Sequence, residues 1–123
     1  MPFAALTYDI KAGHEDEVAE VFQNFKRVKS TNVFDDRGAQ AGRVLATAVF
    51  IRDAILVRVI EYEGELEAVA RFMAEQPGVA EVERKLKPYL SRPRDTGTVD
   101  GFLETFNRSL LRCVTQIGVP RTN

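Results

Sequence analysis

The sequence predicts an α+β domain of the ferredoxin-like, split βαβ type: a four-stranded antiparallel sheet with helices on one face. Three observations carry this. Strand-like and helix-like periodicities follow one another in the order β-α-β-β-α-(α-α)-β. The segment Gly42 to Gly64, GRVLATAVFIRDAILVRVIEYEG, reads as a β-hairpin with both arms rich in Val, Ile, Leu and Phe. The helical segments each carry a single apolar stripe, so they cover one sheet face.

The first strand is expected from Phe3 to Ile10, where Ala4, Leu6, Tyr8 and Ile10 alternate with Phe3, Ala5, Thr7 and Asp9. Ala12-Gly13 breaks it. A helix follows from His14 to Phe25, with Val18, Val21, Phe22 and Phe25 on one stripe. Glu15, Asp16 and Glu17 crowd its first turn, and Lys26, Arg27 and Lys29 follow its end, both favourable for the helix dipole. Thr31 to Phe34 suggests a short extended segment, and Asp35-Asp36-Arg37-Gly38 a turn.

In the hairpin the expected loop is Arg52-Asp53, which sets Ile51 against Ala54, Thr47 against Arg58 and Arg43 against Tyr62. One face then holds Val44, Ala46, Ala48, Phe50, Ile55, Val57 and Val59, and is assigned beneath the helices. The other holds Arg43, Leu45, Thr47, Val49, Leu56, Arg58, Ile60 and Tyr62, apolar walls with a few polar groups, as in a ligand cavity.

After Gly64, a helix is expected from Glu65 to Gln76 with Leu66, Val69, Ala70 and Met73 inward. Pro77-Gly78 reads as its stop, and Val79 to Leu86 as a shorter helix through Val79, Val82 and Leu86, ended by Pro88. SRPRDTG is a polar loop, Thr98 an N-cap, and Val99 to Asn107 a further helix. The last strand is expected from Leu110 to Ile117. Leu111, Cys113, Thr115 and Ile117 go under the helices; Arg112 and Gln116 share the open side with Phe3, Ala5 and Thr7. Right-handed crossovers place the strands in spatial order fourth, first, third, second. A second copy is the simplest cover for the helix-free face, giving a homodimeric α/β barrel. Residues 1–118 form one domain and 119–123 a flexible tail.

The chain has 123 residues, 45% hydrophobic and 28% charged, an ordinary globular composition. A net charge of −1 gives no general attraction to nucleic acid or to an anionic membrane. No run approaches the roughly 20 apolar residues of a membrane span, so a cytoplasmic protein is expected. One His and one Cys exclude a conventional zinc or haem site, and no Gly-rich phosphate loop is present, so no cofactor is expected. His14 reads as a surface or capping residue, and Cys113, in the apolar run LLRCVTQI, as a buried structural thiol.

Chemistry is sought on the face with the arginines. Arg58, Tyr62 and Arg43 are the catalytic candidates. Thr47, Arg112, Gln116, Leu45, Val49, Leu56 and Ile60 are the substrate-binding candidates. A guanidinium is a poor general base, but it stabilises an enolate or phenolate and holds a carboxylate or phosphate. Tyr62 has a proton to donate to an oxyanion. The competing reading has these arginines paired with Glu61, Glu63 or a partner subunit's acids.

The blocks ALTYDIKAGHEDEVAEVF, GRVLATAVFIRDAILVRVIEYEG, MAEQPGVAEVERKLKPYL, SRPRDT and LLRCVTQ resemble, in order and spacing, the SchA/CurD-like family of type II aromatic polyketide and spore-pigment genes. QPGVAEVERKLKPYL after VRVIEYEG is also similar to the tetracenomycin-type polyketide cyclases, small ferredoxin-like dimers. In that comparison some members have His where this chain has Arg58, a departure that speaks against proton abstraction there. The resemblance implies an aromatic polyketide cyclase or cyclase-like auxiliary protein. Its partner is a polyketide intermediate, free or on an acyl carrier protein. Two other functions stay open: a cofactor-free oxygenase turning a phenol into a quinone, and a non-catalytic scaffold for the synthase complex.

Overall fold

The computed structural model describes residues 2–23, 32–34 and 40–118. The expected continuation of the first helix to Phe25 with its basic flank, the turn at 35–38 and the tail at 119–123 lie outside the described residues.

The chain runs β1 (Phe3–Asp9), α1 (Glu15–Gln23), β2 (Asn32–Phe34), β3 (Gln40–Arg52), β4 (Ile55–Gly64), α2 (Leu66–Ala74), α3 (Pro77–Leu86), a 3-10 turn (Lys87–Tyr89) and α4 (Val99–Ser109). Among the described residues the sheet is antiparallel with order β1-β4-β3-β2. The α+β class and the neighbours of β1, β4 and β3 are as the sequence predicts. The membership of the sheet differs. The short segment β2 is a paired edge strand, whereas the chain after Ser109 is not a regular strand. It lies along β1 through one bridge, Leu6 to Leu110, and a hydrogen bond from Leu111 N–H to the Ala5 carbonyl at 2.8 Å.

The hairpin loop is Asp53-Ala54, one residue later than expected. Asp53 takes a positive φ of 53°, a conformation that Asp tolerates better than most residues. Arg52 therefore faces Ile55, Ile51 faces Leu56, Val49 faces Arg58 and Thr47 faces Ile60. A bulge between Val44 and Ala46 then shifts the register, so Val44 faces Tyr62 and Arg43 faces Glu63. At the far end of the hairpin Gly64 has φ +87°, and a Cβ there would collide with the Ala41 carbonyl oxygen and press on Gly42. Only glycine permits that close approach.

From Ala46 to Tyr62 the two faces of the hairpin are reversed from the expectation, while Val44 and Arg43, beyond the bulge, lie on the sides expected. Leu6, Tyr8, Leu56, Arg58 and Ile60 are buried, and Val49, Ile51, Val44 and Tyr62 pack against the same core from partly covered positions. Ile55 and Phe50 are exposed, Phe50 by 61%, and Val57 and Val59 are only partly covered. Both faces of β4 are apolar, so alternation groups residues by face without saying which group the helices cover. The helices choose. Val69, Ala70 and Met73 of α2, Val79, Val82 and Leu86 of α3, Phe102 and Phe106 of α4 and Val18 of α1 enclose the Leu6–Leu56 side.

Local signals account for the helix ends. Pro77 does not only stop α2; it occupies the first turn of α3, where a missing N–H costs nothing. Thr98 caps α4, its Oγ1 accepting from Gly101 N–H at 3.0 Å. Cys113 is exposed rather than buried, because the segment that carries it does not pass under the helices.

Candidate functional site

Between α1 and the covered face of the sheet lies a cavity of about 470 Å³, a size suited to a small organic ligand. Ala19, Phe22 and Gln23 of α1 form one wall. Thr47, Val49 and Ile51 of β3 with Leu56 and Arg58 of β4 form the other. The α1 residues share one side of the helix, since Ala19, Phe22 and Gln23 are spaced three and four apart, and only Phe22 belongs to the apolar stripe. The strand residues share a face because Val49 faces Arg58 and Ile51 faces Leu56.

Arg58 is the charged member. It is 8% exposed, and its Nε donates to Thr47 Oγ1 at 3.3 Å. The Tyr8 hydroxyl, in the core and 3% exposed, lies close enough to Arg58 for the guanidinium charge to act on it. The Tyr8 ring also meets Arg94, whose guanidinium carbon is 4.0 Å from the ring centroid. Arg94 in turn makes a two-point contact with Glu83 of α3, Nε to Oε2 at 3.2 Å and Nη2 to Oε1 at 3.3 Å, and donates from Nη1 to Ser109 Oγ at 3.0 Å. Burial pushes the Tyr8 hydroxyl above its ordinary pKa; the Glu83 carboxylate adds to the rise, and Arg58 and Arg94 oppose it. Tyr8 is thus a neutral hydroxyl throughout the physiological range.

Of the residues singled out in the sequence, Arg58, Thr47, Val49 and Leu56 meet at the cavity. They do so on the helix side of the sheet, within one subunit, and not on the open face. Ile60 is buried beside them in the core. The others are elsewhere. The bulge turns Arg43 to the opposite face, where it pairs with Glu63 at 3.5 Å, as the structural reading of the arginines foresaw. Tyr62 is half-buried against the core opposite Val44 and does not line the cavity, and Leu45 sits at the bulge. Arg112 and Gln116 are exposed on the C-terminal segment, where Gln116 Oε1 accepts from Phe3 N–H at 3.1 Å. His14 packs 5.3 Å from the Tyr89 ring and pairs with Glu17.

Sequence reasoning passed over Tyr8, Glu83, Arg94 and the α1 wall. One signal was present. Glu83 stands between Val79, Val82 and Leu86 at helical spacing, and a charge on an apolar stripe needs a buried partner. No spacing rule points to Arg94, which lies in the loop before α4.

Among the described residues no cluster of His, Cys, Asp and Glu has the make-up of a metal site, and no helix is long and apolar enough to cross a membrane.

Residues 1–119 match the SchA/CurD like domain. The chain belongs to the SchA/CurD-like family. It is 34% identical over 111 residues to a 42.8 kDa protein in the whiE locus of Streptomyces coelicolor, covering 89% of this chain and 26% of that protein. It is 33% identical over 110 residues to the polyketide synthase CurD of Streptomyces cyaneus, covering 89% of this chain and 28% of that one. Protein SchA of Streptomyces halstedii is 35% identical over 91 residues, 74% of this chain and 22% of SchA. The SchA/CurD-like chain thus spans about a quarter of the length of these relatives. Among solved structures, the tetracenomycin F2 cyclase of Streptomyces glaucescens, described as a type II polyketide cyclase, superimposes with a TM-score of 0.58 over 98% of this chain and 100% of that one. At 14% identity this similarity is one of fold.

Proposed function

We propose that this domain acts in type II polyketide biosynthesis as a cyclase-like protein. It holds a poly-β-ketone or a polycyclic enol in the cavity beneath α1 and assists aldol ring closure. One observation carries the reading: a single buried guanidinium, Arg58, faces a cavity whose other walls are mostly apolar. The cyclase fold and the polyketide naming of CurD support the same direction.

The chemistry needs little more than this. A methylene between two ketones is acidic and passes its proton to water. The enolate carbon then attacks a second ketone of the folded chain, the new C–C bond forms, and the resulting alkoxide takes a proton back. Arg58 stabilises the negative oxygen in both steps, and Thr47 holds the guanidinium and has a hydroxyl for a bridging water. Val49, Ile51, Leu56 and Phe22 fold the chain against itself and exclude bulk water. No side chain in the cavity wall is a strong base, so the protein contributes orientation and electrostatics and leaves proton removal to solvent.

The reading extends to a homodimer in which a second copy covers the helix-free face. Phe3, Phe50 and Ile55 are exposed large hydrophobic residues on that face, and Leu111, Val114 and Ile117 are exposed on the C-terminal segment; apolar surface of this kind favours a partner.

The test is reconstitution with a minimal type II polyketide synthase, reading the ratio of cyclised to shunt products. Wild-type protein raises the ratio, and Arg58→Met lowers its effect by about 10²–10³ in rate, the usual cost of a lost oxyanion donor. An unchanged ratio with both proteins sinks the ring-closure reading. Oxygen uptake with an anthrone-like phenol would then point to an oxygenase, and its absence to a scaffold.

A further inference from the structure

The buried polar cluster behind the cavity takes no part in ring closure as written, yet it touches the residue on which that scheme turns. Tyr8 faces Leu56 and Leu6 faces Arg58 across the β1–β4 ladder, so Tyr8 and Arg58 are diagonal neighbours on the covered face. At that spacing long side chains reach one another, and the Arg58 guanidinium is near enough to act on the Tyr8 hydroxyl. From the cavity inward the chain of contacts is Thr47, Arg58, Tyr8, Arg94 and Glu83. Its members come from β3, β4, β1, the loop before α4, and α3. Ser109 at the end of α4 supplies one more acceptor to Arg94.

A donor aimed at a developing charge works best when it is fixed before the reaction. A free arginine side chain has many rotamers, and Thr47 holds Arg58 at Nε. We propose that Tyr8 is a positioning residue: its hydroxyl fixes the Arg58 guanidinium toward the cavity, and the Glu83–Arg94 pair fixes Tyr8 in turn. This rests on reading the cavity as a polyketide site with Arg58 as its cation. Tyr8 is absent from the cavity wall and does not touch the substrate. If Tyr8 only filled the core, Phe would serve equally well, because Phe keeps the ring on Arg94 and loses the hydroxyl alone.

The probe is alizarin, a planar dihydroxy-anthraquinone dye whose absorption moves to the red when its phenol ionises. Bound dye is titrated with pH in wild type, Arg58→Met and Tyr8→Phe, with thermal melts of each. In wild type the bound phenol ionises at lower pH than the free dye, because Arg58 favours the phenolate. Arg58→Met abolishes that shift. In Tyr8→Phe the dye still binds, but phenolate binding weakens about three- to tenfold, the worth of one restraining hydrogen bond, and the ionisation moves toward that of free dye. A second arm is the double variant Glu83→Gln/Arg94→Gln, which strands no charge and moves the ionisation in the same direction. Equal ionisation of bound dye in wild type and Tyr8→Phe overturns the proposal while leaving the cavity reading intact. If Tyr8→Phe does not fold, an unmoved ionisation in the double variant overturns it instead. Failure of wild-type protein to bind the dye overturns the cavity reading and this inference together.

Discussion

Val49 on β3 and Arg58 on β4 stand directly opposite each other, one apolar and one charged, and both face the cavity under α1. A loop at Arg52-Asp53 would instead have put Thr47 opposite Arg58. The one-residue difference keeps the same residues together on each face but changes their partners. The strand residues that line the cavity are Thr47, Val49, Ile51, Leu56 and Arg58, all from a single chain.

Leu56→Asp should abolish folding, whereas Val57→Asp should leave a folded chain. Leu56 is fully buried in the core, where an unpaired carboxylate costs several kcal/mol, on the order of the whole stability. Val57 lies on the helix-free face, opposite Thr7. There the charge should disrupt pairing with a second copy, so the variant should melt cooperatively but run as a smaller species in light scattering. A folded Leu56→Asp protein, or an unfolded Val57→Asp one, would restore the face assignment that alternation suggested.

That assignment shows where the sequence stops being legible. Alternation grouped Leu56, Arg58 and Ile60 correctly, and the helix stripes of α2 and α3 were correct in Val69, Ala70, Met73, Val79, Val82 and Leu86. Which side of β4 the helices cover was not legible, because Ile55, Val57 and Val59 are as apolar as Leu56 and Ile60. Arginine was read as a residue for an open face. Arg58 is buried with its Nε donating to Thr47, and that contact depends on long-range strand pairing which local patterns do not encode. The bulge that removes Arg43 from the site was equally silent. So was the close approach of Gly42 and Gly64, two glycines that read only as hairpin ends.

Gly64→Ala should destabilise far more than Gly13→Ala, although both glycines have φ near +90°. An alanine at Gly13 meets nothing within 4 Å and carries only the left-handed backbone penalty, about 1–2 kcal/mol. At Gly64 the new Cβ also meets the Ala41 carbonyl and the Gly42 Cα, backbone atoms that move only with the strand. Paired thermal melts give the comparison. Equal losses would mean that the β3–β4 approach is loose.

Glu83→Ala should be strongly destabilising and the double variant Glu83→Leu/Arg94→Met much less so. The two side chains are nearly inaccessible, 4% and 8%. Removing one partner leaves a buried charge unpaired, which typically costs about 3–5 kcal/mol, while replacing both with apolar groups is often close to neutral. Urea unfolding of the single and double variants measures this. Should the double variant be as unstable as the single one, the pair would be stabilising beyond the charge it neutralises.

Alkaline pH should weaken wild-type protein through Tyr8, and Tyr8→Phe should remove that component. The Tyr8 pKa is raised above the ordinary tyrosine value of about 10, chiefly by burial, with Glu83 adding and Arg58 and Arg94 opposing. The sign follows from linkage. Below about pH 10 the hydroxyl is protonated in both states and contributes no pH dependence. Above it, the unfolded chain releases the proton and the folded chain keeps it, so stability falls as pH rises from the unfolded toward the folded pKa. Every other ionisable group is common to both proteins. The informative quantity is therefore the difference in melting temperature between wild type and Tyr8→Phe from pH 9 upward. Relative to Tyr8→Phe, wild type should lose ground steadily as pH climbs past 10. A difference that stays flat would mean that Tyr8 is solvated on ionisation, and the core between Arg58 and Arg94 would then be open to water.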